Sequence, residues 1–128
     1  MSNVEAEIAK YAHNCFGALK VNYFNIISEL CEGMDGRYQR VLSAARVTGF
    51  IEPEHTRVPG PDSLYGFGGA CLPKDLKAFV GLLKAQGVTG YETLASIERD
   101  NSYYRQKEGL CLEIKKPSVS STGSRASS

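Results

Sequence analysis

The chain has 128 residues, of which 42% are hydrophobic and 23% charged, a composition typical of one globular domain with a modest core. Fifteen Lys and Arg against fourteen Asp and Glu give a net charge of +1, and the basic residues are scattered, which argues against a nucleic-acid partner. The apolar stretches are short and no signal-peptide segment is readable, so we predict no membrane span and a cytoplasmic location.

The first predicted element is a long amphipathic helix from Glu5 to about Glu32, because apolar residues recur at three- and four-residue steps without a proline. The residues of this stripe are Ile8, Ala12, Cys15, Leu19, Ile26 and Leu30. Such length in a small domain indicates a central helix, packed either on a partner subunit or simply in the core. After a stop at Gly33, a short second helix is predicted from Arg37 to Arg46.

A loop is predicted over residues 48–69, which include three prolines and five glycines and have no periodicity. A loop of this length in a compact domain is usually functional or disordered, and its composition favours a binding loop. Helical patterns return from Pro73 to just before Gly87 and again over residues 91–110. We therefore predict a small all-α domain over residues 1–110, and a disordered tail over 111–128, because PSVSSTGSRASS has almost nothing to bury.

The four cysteines lie far apart and form no C-x-x-C pair, so each needs its own explanation, and no metal site is predicted. Cys15, Cys31 and Cys111 lie in apolar helical patterns and are interpreted as small core residues. Cys71 differs, since it lies in the stretch GFGGACLPKD, which has no apolar periodicity. It is therefore the candidate reactive thiol.

The residues around Cys71 are suited to activating it. If Pro73 takes the first helical position, Cys71 lies just outside a helix N-terminus, where unpaired amides and the dipole favour a thiolate, and Lys74 adds a positive charge. Asp75 would fall in the first turn, as a base or an anchor for a water, and the glycines would let backbone approach a ligand closely. Composition leaves two interpretations open, a reactive thiol and a tight turn with an incidental cysteine.

GFGGACLPKD resembles the active-site signature of the NAD-dependent nucleotide-sugar dehydrogenases, the UDP-glucose and GDP-mannose 6-dehydrogenases. Upstream, AEIAKYAHNCFGALKVNYFN resembles the start of that family's central helical domain, and HTRVPGPDSLYGFGG resembles the loop of a bacterial UDP-glucose branch. The resemblance extends from about Glu5 to Lys107. Two motifs in the right order and at a fitting interval make it specific.

The resemblance implies an enzyme that oxidises a sugar 6-hydroxyl to a carboxylate by two hydride transfers to NAD. Cys71 would capture the aldehyde as a thiohemiacetal and later hold a thioester. Lys10 would stabilise oxyanion charge, while Asn14 and Asp75 would position the hydrolytic water, with Asp75 as a proton acceptor. The implied substrate-binding residues are Phe67, Gly68, Gly69 and Lys74.

The sequence also departs from the family. Only the central of the family's three parts is recognisable, and no strand precedes a G-x-G-x-x-G turn, so NAD has no readable binding site. The predicted partners are a second copy of the chain through the long helix, a UDP-sugar, and a companion chain carrying the NAD-binding domain. The resemblance implies an arginine that reaches the partner subunit's substrate, but Phe50 occupies that position in this sequence. The nearest basic candidate is Arg57.

Three functions remain open from the sequence. The favoured one is a catalytic piece of a nucleotide-sugar dehydrogenase that is inactive without the missing NAD-binding domain. The second is a dimerisation module, or a truncated remnant, without chemistry of its own. The third is a thiol enzyme or redox sensor that uses Cys71 without NAD. The stretch VPGPD favours UDP-glucose among the nucleotide sugars, by resemblance alone.

Overall fold

The computed structural model describes residues 1–114, and the side chains of residues 1–107. It contains four helices, α1 (Asn3–Gly33), α2 (Tyr38–Ala45), α3 (Cys71–Ala85) and α4 (Tyr91–Ile114), and no strand within the described residues. The all-α prediction is confirmed, and α1 is the central helix, since it contacts each of the other three. No helix in this part of the chain is long and apolar enough to cross a membrane.

The helix α4 runs to Ile114, past the predicted domain boundary at residue 110. The remaining tail, residues 115–128, lies outside the described residues, as does the side chain of Cys111. The predicted disorder of the tail therefore stays a prediction.

A capping box fixes the start of α1. The hydroxyl of Ser2 accepts a hydrogen bond from the Glu5 backbone N–H at 3.1 Å, and the Glu5 carboxylate accepts one from the Ser2 N–H at 2.8 Å. Two of the otherwise unpaired N–H groups at this helix end are thereby satisfied. The helix therefore begins two residues before the predicted Glu5.

The core lies where α1, α3 and α4 meet. Its fully buried centre is formed by Leu76 of α3 and Ile97 of α4, and the ring of Tyr11 stacks on that of Phe79 with 5.3 Å between centroids. The other buried members of this cluster are Cys15, Ala18 and Phe67. Cys15 and Cys31 are both buried, which confirms that they are core residues.

The predicted apolar stripe of α1 is only partly the core face. Cys15 is buried and Leu19 packs against the core, but Ile8, Ile26 and Leu30 are 42–57% exposed and Ala12 is exposed. The core face instead follows Tyr11, Cys15, Ala18, Asn22 and Asn25. The sequence left open whether this stripe packs in the core or on a partner subunit, because α1 has two apolar sides and periodicity alone does not say which of them meets the rest of the same chain.

The segment between α2 and α3 has no helix or strand and is held to the helices by side chains. The hydroxyl of Tyr38 donates to the backbone carbonyl of the buried Thr56. Burial, and secondarily the proximity of Cys31, raises the pKa of Tyr38 to about 12. The residue therefore stays a neutral donor to the segment over the whole physiological range.

Replacement of Leu76 by alanine tests the placement of the core. Because Leu76 has no exposed surface, Leu76→Ala is expected to lower the free energy of unfolding by about 2–5 kcal/mol in urea titrations followed by circular dichroism. The matched control is Leu82→Ala on the same helix, where the side chain is 36% exposed and less than half of that loss is expected. Equal losses in the two variants would contradict this packing.

Candidate active site

Cys71 is the first residue of α3, following the N-cap residue Ala70. The expectation that Pro73 takes the first helical position is therefore wrong, since Pro73 is the third residue of the helix. Proline is tolerated there because the first four N–H groups of a helix have no intrahelical partner in any case. Cys71 is exposed, and it lies inside the helix N-terminus and not just before it.

Asp75 does not lie in the first turn of α3, contrary to expectation. Its half-buried carboxylate accepts a hydrogen bond from Asn14 Nδ2 across the α1–α3 contact at 2.7 Å. The imidazole Nδ1 of His13 lies 2.8 Å from the other end of the same amide, Asn14 Oδ1. One hydrogen bond thus connects the two sequence motifs, which are 61 residues apart.

The two lysines of the predicted site are exposed. Lys10 lies one turn before Asn14 on α1, with its Nζ 5.1 Å from the centroid of the Tyr11 ring. Lys74 lies between Cys71 and Asp75 on α3. Within the described residues, no hydrogen bond or ion pair joins either lysine to another predicted site residue, so the structure brings together Asn14 and Asp75 but leaves both ammonium groups without a bond to them.

A cavity of about 310 Å³ adjoins the N-terminus of α3. Its wall includes the three predicted substrate-binding residues Phe67, Gly68 and Gly69, and Cys71 follows this wall directly, between the lining residues Gly69 and Leu72. The remaining lining residues are Val21, His55, Arg57, Gly60, Pro61, Asp62, Gly66 and Arg105. Arg57 therefore lies at the cavity, whereas Phe50 is 88% exposed and lines a separate groove.

Two helices supply residues that support the cavity wall and that no sequence motif marks. Asn25 of α1, and Asn101 and Arg105 of α4, form hydrogen bonds with the backbone at Gly66 and Phe67. His55 packs against Gly17, where a Cβ would lie 3.1 Å from the imidazole Nε2. No local pattern marks these residues, because each contact joins parts of the chain at least 34 residues apart.

The thiol groups differ sharply in accessibility. Cys15, Cys31 and Cys71 are free cysteines, and only Cys71 of these three is exposed. Burial, and secondarily the charge of Asp75, raises the pKa of Cys15 to about 11. The thiol of Cys15 is therefore protonated at neutral pH, and its burial in the core makes it unreactive.

Most of the chain matches a known protein family. The family model described as "UDP-glucose/GDP-mannose dehydrogenase family, central domain" matches residues 4–103. The chain belongs to this family. The matched range contains all four helices up to the middle of α4, and with them Lys10, Asn14, Cys71 and Asp75.

Curated relatives carry the name UDP-glucose 6-dehydrogenase. That of Pseudomonas aeruginosa is 32% identical over 119 residues, which cover 86% of this chain and 22% of the relative. That of Rhizobium meliloti is 37% identical over 75 residues, 59% of this chain and 16% of the relative, and TuaD of Bacillus subtilis is 32% identical over 87 residues, 67% and 18%. The chain thus spans about a fifth of the length of these relatives. No solved structure matches it.

Alkylation of the native protein tests the order of thiol accessibility. We expect iodoacetamide at pH 8 to modify Cys71 at least about tenfold faster than Cys15 or Cys31, because burial blocks access to both of these thiols and raises the pKa of Cys15. Peptide mass spectrometry measures the three rates separately, and a urea-unfolded sample is the control in which the rates converge. Fast modification of Cys15 in the native protein would contradict its burial.

Proposed function

We propose that this chain is the catalytic-cysteine part of a nucleotide-sugar dehydrogenase, which acts on UDP-glucose together with an NAD-binding domain supplied elsewhere. The observation that carries the proposal is the hydrogen bond from Asn14 to Asp75, because it joins the two motifs of the family beside Cys71. The cavity lined by Phe67, Gly68, Gly69 and Leu72 supports the same function, since it offers space for a sugar at the N-terminus of the helix that begins with the exposed Cys71. The cytoplasm is the proposed location, where a reducing environment keeps Cys71 reduced.

The proposed chemistry assigns bond formation to Cys71. Its thiolate adds to the carbonyl carbon of a sugar 6-aldehyde, so that a C–S bond forms and the carbonyl electron pair moves onto oxygen, which gives a thiohemiacetal. After oxidation to the thioester, water adds to the same carbon and the C–S bond breaks, which releases the carboxylate and regenerates the thiolate. Covalent capture of this kind prevents loss of the aldehyde between the two oxidations.

The neighbouring residues have separate roles in this proposal. The Lys10 ammonium stabilises the oxygen as it gains negative charge, which requires that side chain to turn from the Tyr11 ring towards the thiol. Asn14 holds Asp75 through one carboxylate oxygen, Oδ2, and leaves Oδ1 to orient a water and accept its proton. Phe67, Gly68, Gly69 and Lys74 would contact the substrate.

NAD enters the proposal as the cofactor of the family, where it accepts the two hydrides. The described residues do not fit a dinucleotide site of the usual kind, since a glycine-rich turn must be fed by a strand and residues 1–114 contain none. No step through NAD is therefore assigned to these residues. The proposal requires another chain, or another part of a longer protein, to bind it.

The exposed apolar side of α1 supports a second proposal, that two copies of the chain pair through this helix. Phe16, Tyr23, Ile26 and Leu30 are 42–61% exposed, and with Ala12 and Leu19 they recur at alternating four- and three-residue steps, a spacing typical of helix pairing. A groove of about 540 Å³ between this face and the exposed Phe50 extends the apolar surface. A non-catalytic dimerisation module remains the alternative function, and this surface is what favours it.

Turnover in a reconstituted mixture tests the catalytic proposal. We expect UDP-glucose-dependent NAD reduction when the chain is mixed with a separately expressed Rossmann half of a related dehydrogenase, but none from the chain alone. Cys71→Ala should abolish this turnover, Lys10→Met should lower it by about a hundredfold or more, and Cys31→Ala should retain it.

A folded chain that gives no turnover in either setting would overturn the catalytic proposal and favour the dimerisation module. Turnover that survives Cys71→Ala would overturn the assigned nucleophile.

Light scattering coupled to size exclusion tests the dimer. The chain is expected to elute as a dimer at micromolar concentration, and Ile26→Glu should convert it to a monomer because a charge cannot be buried in an apolar seam. Ala78→Glu, at an exposed position of α3, is the matched control and should remain dimeric. A folded wild-type monomer at all concentrations would rule out pairing through α1.

A further inference from the structure

The backbone of Gly66 and Phe67 is held by side chains and not by a ladder of backbone hydrogen bonds. The Gly66 N–H donates to Asn25 Oδ1 at 3.1 Å. The Phe67 N–H donates to Asn101 Oδ1 at 2.7 Å, and the Phe67 carbonyl accepts from Asn101 Nδ2 at 2.9 Å. A single amide side chain of α4 therefore satisfies both polar backbone groups of one residue in the cavity wall.

Arg105, one turn further along α4, also binds the carbonyl of Phe67. Its Nε donates to the Phe67 carbonyl at 2.9 Å, and its Nη1 forms an ion pair with Asp62 Oδ2 at 3.0 Å. Burial acts to raise the pKa of the Asp62 carboxyl, but hydrogen bonds from the Leu64 N–H and from Arg105 lower it overall. The Arg105 guanidinium therefore connects the turn at residues 60–64 to the cavity wall. Its partner in this turn, the Asp62 carboxylate, stays ionised.

Two of the glycines lie where side chains of α4 approach the loop closely. Gly66 has a φ of +75°, and a Cβ there would collide with Asn101 Oδ1, while a Cβ on Gly68 would lie 2.6 Å from Arg105 Nη2. The positive φ favours glycine at residue 66, whereas at residue 68 the flexible end of Arg105 would have to move to admit a side chain. From sequence, these glycines are interpreted as giving access to a ligand, whereas in the structure both also lie close to side chains of α4.

We propose that Asn101 and Arg105 are positioning residues, which fix the cavity wall Phe67–Gly69, and with it the backbone that leads into Cys71, against α4. Both use rigid planar groups with two contacts each, so the loop is held in orientation as well as in place. The role of these two residues in catalysis rests on the proposed function. The holding of the loop is independent of that function and can be measured without turnover.

Residue-resolved hydrogen exchange by NMR on the full chain tests the holding of the loop. The Phe67 amide is expected to be protected in the wild type and to exchange at least about tenfold faster in Asn101→Ala, since its only described acceptor is the Asn101 side chain. Asn101→Asp keeps an acceptor oxygen and should retain this protection. Arg105→Ala should speed exchange at Leu64, whose N–H donates to Asp62 Oδ1, whereas Arg99→Ala, at an exposed arginine of the same helix, should not.

Exchange at Leu76 in the same samples reports unfolding of the whole domain. The proposal is overturned if Asn101→Ala leaves the Phe67 amide protected. It is also overturned if Asn101→Ala and Arg105→Ala accelerate Leu76 as much as the loop, because the two residues would then serve general stability only.

The reconstituted dehydrogenase assay tests the positioning role in catalysis. Asn101→Ala should raise the KM for UDP-glucose by about tenfold and change kcat by less than about twofold, and Asn101→Asp should restore part of the loss. An unchanged KM in a variant whose loop has lost protection would overturn the positioning role. Absence of turnover from the wild-type mixture would instead overturn the proposed function, and the exchange result would still decide whether the loop is held.

Discussion

The candidate site depends on the packing of α3 against α1. Asn14 and Asp75 are brought within hydrogen-bonding distance only because Leu76, the residue after Asp75, is fully buried in the core that Tyr11 and Cys15 of α1 help to form. Burial of apolar surface therefore supplies the free energy that holds α3 against α1. The hydrogen bond between Asn14 and Asp75 fixes the orientation of these two side chains more than it stabilises the fold. The exposed thiol of Cys71 lies at the N-terminus of that same helix, so the core also holds Cys71 near α1.

The cavity wall is held in place by a different kind of interaction. A segment without helix or strand, residues 46–70, would ordinarily satisfy its backbone groups with water. Around Phe67 the side chains of α1 and α4 take over this role, and Phe67 itself is anchored in the core by its ring. The site thus combines a helix terminus fixed by apolar packing with a loop fixed by polar side chains, and α4 serves both through Ile97 in the core and Asn101 at the loop.

The sequence predicted the helices well, because each has a periodic pattern and clear breakers. It left open which side of α1 packs in the core, since Ile26 and Leu30 are as apolar as the core residues and only the position of α3 and α4 distinguishes the two sides. It was wrong about Pro73, because an N-terminal proline is compatible with several positions in the first turn. Asn101 and Arg105 could not be found from sequence, since polar residues on a helix carry no sign of the distant backbone that they bind.

The different sides of α1 limit how the length of this helix can vary. Around its circumference the helix presents Asn14 towards the candidate site, Cys15 and Ala18 towards the core, and apolar side chains such as Tyr23 away from both. Insertion or deletion of one residue in a helix rotates everything beyond it by about 100°. A change of length within α1 would therefore turn core residues beyond it towards the site or towards solvent. We expect α1 to vary among relatives by substitution alone. The segment between α2 and α3, by contrast, can vary in length as far as the residues that contact α4.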